Sequence, residues 1–165
     1  MNRQARSAGS EHYVLLRSGQ LVGAALCIFV KSSSLRQIKN VEGSVKKTGM
    51  SGMAGNKGAV AIRMDYANTQ ICFVTAHLAA GFANYEERNR DYNTIHHGLR
   101  FQRNRRIDDH GKLNAEYLPA KILTIYSDSV IWMGDFNYRI GLGLEKVRQL
   151  IKVGDLETLY ENDQV

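Results

Sequence analysis

Asp135, Asn137 and Arg139 leave the chain within five residues of one another, in the run Trp132-Met133-Gly134-Asp135-Phe136-Asn137-Tyr138-Arg139. A carboxylate can serve as acid, base or metal ligand, a carboxamide as uncharged hydrogen-bond donor, and a guanidinium as phosphate binder. Alternate residues of an extended segment point the same way, so Asp135 and Asn137 would face one site. The apolar, β-branched Ser129-Val130-Ile131 before them reads as the end of a buried strand turning into a loop. Gly134 would let the backbone turn sharply and a bulky ligand come close. The plainer reading is a capped turn in which Asp and Asn bond only to backbone groups.

Three earlier segments add chemistry. Gly55-Asn56-Lys57-Gly58 is a small-residue loop feeding the strand-like Ala59-Val60-Ala61-Ile62-Arg63. Exposed backbone N–H groups and the Lys57 charge suit phosphate, although a hairpin turn has the same composition. Ile71-Cys72-Phe73-Val74-Thr75-Ala76 delivers His77 to a strand end ahead of Leu78-Ala79-Ala80-Gly81. A lone His is usually structural, but this placement fits a phosphate contact. Tyr85-Glu86-Glu87-Arg88-Asn89-Arg90-Asp91-Tyr92 falls in a helix expected over 84–99. Tyr85, Tyr92 and Leu99 at seven-residue spacing, with Ile95 between, form its apolar stripe, and its charges form a solvated face.

The run from Trp132 to Arg139 resembles the W-x-G-D-x-N-[FY]-R signature of inositol polyphosphate 5-phosphatases, a branch of the endonuclease/exonuclease/phosphatase superfamily. The G-N-K-G loop, the H-L-A-A strand end and the E-R-N-x-D-Y helix resemble further motifs of that family in the same order. The resemblance runs from about Glu11 to Asp163 and is strongest to fungal synaptojanin-like members. It implies a four-layer α/β-sandwich of the DNase I-like type, with the site where the sheet ends meet. It also implies Mg²⁺-assisted phosphomonoester hydrolysis. Asp135 would be the general base or water-positioning group, or would assist the leaving group. Asn137 would hydrogen-bond the transferring phosphoryl group, and His77 would stabilise charge on its oxygens. Asn56, Lys57 and Arg139 would hold the phosphate. These roles rest on positioning and electrostatics, since phosphoryl transfer needs little covalent help.

Composition narrows the classes without choosing one. A chain of 165 residues with 44% hydrophobic content is one globular domain rather than a disordered segment. The net charge of +6 suits an anionic partner: an inositide headgroup, an acidic membrane surface or nucleic acid. Of these the resemblance favours the phosphoinositide headgroup, with peripheral contact to acidic membrane and no nucleic acid. Cys27 and Cys72 in apolar runs read as two buried thiols of a cytoplasmic protein. The longest apolar run, 21–30, is too short to span a bilayer. Residues 1–10 read as a disordered tail.

Strands are expected over 13–17, 21–31, 42–48, 59–66, 70–77 and 129–134, with short helices over 144–151 and 156–161, an α/β pattern. Residues 11–165 read as a catalytic domain incomplete at both ends. No counterpart of the family's metal-binding Glu precedes Glu11, so no metal ligand is assigned, and no second catalytic Asp segment precedes Val165. Residues 111–127, with the chain's single proline Pro119, interrupt the family pattern. They read as a translated intron or as a surface insertion. Genomic sequence without splice signals at Gly111-Lys112 and Ser127-Asp128 rejects the intron. Two alternatives stand beside the phosphatase: an inactive fragment that binds acidic lipid, and a nuclease of the same superfamily.

Overall fold

A computed structural model describes residues 11–49, 56–101 and 127–165. The expected tail at 1–10, Gly55 and nearly all of the 111–127 insertion lie outside the described residues.

Strand β1 (Tyr13–Leu21) turns through Val22 and Gly23 into β2 (Ala24–Lys31), an antiparallel hairpin. The expected strand over 21–31 is therefore broken near its start. Gly23 takes φ +86°, a conformation that glycine adopts without strain. A short 3-10 helix (Ser32–Gln37) leads into β3 (Ile38–Lys47), which starts earlier than expected and is irregular between Lys39 and Glu42. Then come β4 (Gly58–Tyr66), β5 (Thr69–His77), α1 (Tyr85–Gly98), β6 (Ser129–Asp135), α2 (Leu144–Val153) and α3 (Leu156–Glu161). The second sheet runs β3-β4-β5-β6, with its first two pairings antiparallel and β5–β6 parallel.

Side-chain alternation along β4 separates two cores. Val60, Ile62 and Met64 face the β1–β2 hairpin and meet Leu26 and Ile28. Ala59 and Ala61 face the other way, with Cys72, Val74 and Ala76 of β5, and meet Ile95 and Leu99 of the α1 region. Alanines on that face allow the helix to sit close to the sheet. The result is a layered arrangement of hairpin, mixed sheet and helix, the α/β organisation expected of the DNase I-like fold.

Three expectations need correction. Strand β6 is not buried: Val130, Ile131 and Met133 are 38%, 44% and 38% exposed. Among the described residues it is an edge strand of its sheet, and its apolar composition does not report two covered faces. Cys27 is exposed, because alternation in β2 turns it away from Leu26 and Ile28. Cys72 is buried as expected, and burial pushes its thiol up to about 11, keeping it protonated. In α1 the buried residues are Arg88, Asp91 and Ile95, while Tyr85 and Tyr92 are 46% and 41% exposed.

Candidate active site

The parallel pairing of β5 and β6 sets the site. Its register places His77 opposite Asp135, so both strands release their last residue at one edge. The antiparallel β4–β5 register pairs Gly58 with His77, which brings the preceding Lys57 to the same place. Three segments distant in sequence thus converge through sheet register alone.

Lys57 Nζ lies 2.7 Å from His77 Nε2, and Asp135 Oδ2 lies 3.8 Å from the same nitrogen. His77 Nδ1 is buried without a partner among the described residues. It faces the hairpin turn, where a Cβ on Gly23 would come within 2.9 Å of it. The Asp135 side chain is 67% exposed, so solvent and ligands reach it.

Two glycines make this approach of strands feasible. A Cβ on Gly58, at φ +138°, would meet Lys46 O at 2.1 Å, and one on Gly134, at φ +129°, would meet Ala76 O at 2.1 Å. The neighbour of Gly134 is therefore the β5 backbone, not a ligand, and Gly134 lies within β6 rather than in a turn beyond it.

After Asp135 the chain bends. Asn137 takes φ +58°, its N–H donates to Asp135 Oδ1 at 3.1 Å, and its Nδ2 donates to Leu78 O at 3.0 Å. The expected extended alternation of Asp135 and Asn137 does not occur, because this side-chain-to-backbone turn replaces it. The capped turn and the site are the same object: the bonds that cap the turn also tie it to the His77 strand end. Arg139 folds back, with Nη2 donating to Asn137 Oδ1 and Nε to Asn137 O, both at 3.3 Å. Asp135, Asn137 and Arg139 line an open cavity of about 500 Å³ with Phe136, Tyr138, Asp163 and Val165. His77 and Lys57 are not among the residues that line it, and Asn56 is exposed next to Lys57 in the chain.

Sequence reasoning missed the polar face of α1. Arg88 is fully buried, and its Nη1 donates to Ala79 O at 3.2 Å and Gly81 O at 2.7 Å. Asp91 Oδ2 accepts from Ala79 N at 3.0 Å. Asn89 Oδ1 accepts from Tyr138 Oη at 2.5 Å, and Tyr92 packs on Trp132 at 4.9 Å. The helix therefore grips both strand-end loops with charged and polar groups. Burial pushes the Asp91 carboxyl up, against the lowering effect of its hydrogen bonds. Burial likewise pushes up the Tyr138 phenol, opposed by the nearby Arg88, so it stays a donor. The missed signal was spacing: Asp91 stands four residues before Ile95, and Arg88 seven before it. Both share the face of the one apolar residue that the helix buries completely.

Among the described residues no group of three or more His, Cys, Asp or Glu side chains is placed to hold a metal ion. The described donors do not by themselves form a metal centre.

The endonuclease/exonuclease/phosphatase family 2 matches residues 2–165. Inositol-1,4,5-trisphosphate 5-phosphatase 1 of Schizosaccharomyces pombe is 56% identical over 153 residues, which cover 93% of this chain and 13% of that protein. The phosphatidylinositol 4,5-bisphosphate 5-phosphatase INP51 of Saccharomyces cerevisiae is 42% identical over 93% of this chain and 14% of its own length. The solved inositol polyphosphate 5-phosphatase domain of spsynaptojanin, in complex with inositol (1,4)-bisphosphate and calcium ion, superposes with a TM-score of 0.76. It is 53% identical, over 94% of this chain and 40% of that one. The strand-end convergence of His77, Lys57 and Asp135, the bracketing helix and these similarities lead to one assignment: the chain belongs to the synaptojanin-type inositol polyphosphate 5-phosphatases of the endonuclease/exonuclease/phosphatase superfamily.

Proposed function

We propose that this chain carries the phosphate-handling part of a phosphoinositide 5-phosphatase. The reaction is hydrolysis of the 5-phosphate of phosphatidylinositol 4,5-bisphosphate and related inositol phosphates, in the cytoplasm and peripheral to acidic membranes. The observation that carries this reading is the in-register pairing of His77 with Asp135, with Lys57 at 2.7 Å from the imidazole. A phosphoryl group entering beside Asp135 would meet cationic and hydrogen-bonding groups from separate segments. His77 and Lys57 would come from the β5 and β4 strand ends, Asn137 and Arg139 from the loop after β6.

In this reading Asp135 holds or deprotonates the attacking water, and its exposure leaves it free to do so. Asn137 donates one amide hydrogen to Leu78 O and keeps the second for a phosphoryl oxygen. His77 and Lys57 stabilise charge on the equatorial oxygens, and Asn56 and Arg139 anchor the phosphate. The solved relative holds calcium ion with its inositol bisphosphate. A divalent cation, Mg²⁺ in the working enzyme, is proposed on that ground. When bound it would neutralise phosphate charge.

The experiment is inorganic phosphate release from short-chain phosphatidylinositol 4,5-bisphosphate with Mg²⁺, with Asp135→Asn as control. Release that the substitution abolishes supports the reading. A second reading is favoured by one observation: no three carboxylate, His or Cys groups among the described residues are placed for a metal. It is that the 165-residue chain binds acidic lipid without turnover. Binding to inositide vesicles with no phosphate release from a folded chain would select it.

A further inference from the structure

We propose that Arg88 is a positioning residue which, through Gln164, locks the His77 strand-end loop to the Asp135–Arg139 loop. Its functional consequence rests on the phosphatase reading above, but the lock itself is read from the structure independently of turnover.

Arg88 is completely buried, yet among the described residues no carboxylate pairs with it. Its charge is met by neutral acceptors instead. Nη1 reaches Ala79 O and Gly81 O, and Nη2 reaches Gln164 Oε1 at 2.5 Å. The guanidinium lies 5.3 Å from the centre of the Tyr138 ring. A buried cation needs such partners, and a planar fork can serve several of them in fixed directions where an ammonium cannot.

Gln164 completes the connection. The same Oε1 accepts the backbone N–H of Arg139 at 3.0 Å, and Nε2 donates to Phe82 O at 3.1 Å. The Gln164 N–H donates to Arg139 O at 3.1 Å. Gln164 thus holds both backbone groups of Arg139, the N–H through its carboxamide and the C=O through its own N–H; the carboxamide also holds the loop that follows His77, and Arg88 holds that carboxamide. Removing Arg88 takes away one of the three partners that fix the Gln164 carboxamide, and with it the tie to Ala79 and Gly81. Arg139 and His77 then lose their common reference although neither has been altered.

The test uses the ¹⁵N-labelled 165-residue chain. Amide hydrogen exchange at Arg139 is compared with exchange in the β4 and β5 core, for Arg88→Met, Gln164→Ala and Gln164→Glu. We expect the first two to raise Arg139 exchange by about tenfold or more while core amides stay within about twofold, as local opening requires. Gln164→Glu loses the donor to Phe82 O but keeps an acceptor oxygen for both Arg88 and the Arg139 amide, so it should restore protection at Arg139, a rescue that a general packing role would not give. If Arg88→Met does not fold, Gln164→Ala carries the test, since that side chain is only half-buried. Unchanged Arg139 protection in folded variants, or core exchange rising in parallel, overturns the proposal.

A titration with inositol 1,4,5-trisphosphate on the same samples reads the consequence. Affinity should fall in Arg88→Met and Gln164→Ala and recover in Gln164→Glu. Failure of the unsubstituted chain to bind would count against the phosphatase reading, while the exchange data would still decide the lock.

Discussion

Helix α1 buries Arg88, Asp91 and Ile95, whereas α2 buries Leu150 alone and leaves Leu144, Ile151 and Val153 exposed. By composition the expectation would be reversed. Helix α2 has a well-separated apolar stripe and ends at Gly154, in the left-handed conformation common at helix ends. Helix α1 is polar or charged almost throughout. The difference follows from what each helix faces. Helix α1 bonds to the loops that follow β5 and β6, where carbonyls and N–H groups need partners, so polar side chains are the ones that fit. Among the described residues, helix α2 packs chiefly with α3. Polar burial in α1 specifies the relative position of two loops, while apolar burial in α2 contributes packing without direction.

The largest test of this contrast is to remove one buried apolar side chain from each helix. Ile95 is fully buried against both β4 and β5 residues. Ile95→Ala should lower global stability by about 2–5 kcal/mol, read as a shift in the urea midpoint at unchanged slope. Leu150→Ala should fall at or below the bottom of that range. It should also raise amide exchange in α2 and α3 without affecting β4. Equal global losses from the two would break the distinction.

A smaller effect is expected from the polar side of α1. Asp91→Ala leaves the Ala79 N–H buried without its acceptor, which costs about 1–3 kcal/mol. It should also loosen the backbone at Ala79 and Ala80, next to His77. If the melt shifts but exchange in that loop does not, Asp91 is a packing residue like Leu150, and α1 differs from α2 in composition only.

Much of this organisation can be read from residue order. Apolar, β-branched runs marked the strands, and α3 was bounded at 156–161 as observed. His77 and Asp135 were both recognisable as strand-end residues, because an apolar run followed by small residues signals that placement locally. That they share one edge is a matter of parallel register between strands more than fifty residues apart, and no local pattern encodes it. The Asn137 turn escaped the expectation because alternation applies only while the chain is extended. Arg88 and Asp91 escaped because charge in a helix usually means solvent. The partners that reverse this rule, Ala79, Gly81 and Gln164, are carbonyl, N–H and amide groups whose positions are tertiary facts. Exposed β6 makes the same point from the apolar side: Val130 and Ile131 resemble the buried residues of β4 in type, and only the neighbouring layers distinguish them.

The smallest expected effect is also the one that tests the electrostatics of α1 most directly. Burial holds the Asp91 carboxyl above its ordinary value of 3.8 in the folded chain. A group whose folded pKa exceeds its unfolded one binds more protons when folded. Its contribution to stability is therefore fully present below the unfolded pKa and is lost as pH rises through the folded one. Asp91→Asn imitates the protonated carboxyl: its Oδ1 can still accept from Ala79 N, and it has no charge to desolvate. At any single pH the substitution should change stability by under about 1 kcal/mol, because the hydrogen bond survives. The size of that change, however, should depend on pH. Below the ordinary carboxyl range the two proteins should melt together. As pH rises, the wild type should lose stability relative to the Asn variant until the carboxyl is fully ionised, and the difference should then level off. Thermal melts of both proteins at half-unit intervals from pH 3 upward would trace it. A wild type that gains on the variant with rising pH would mean that the Ala79 N–H stabilises the carboxylate more than burial penalises it. Helix α1 would then hold the loop by charge rather than in spite of it.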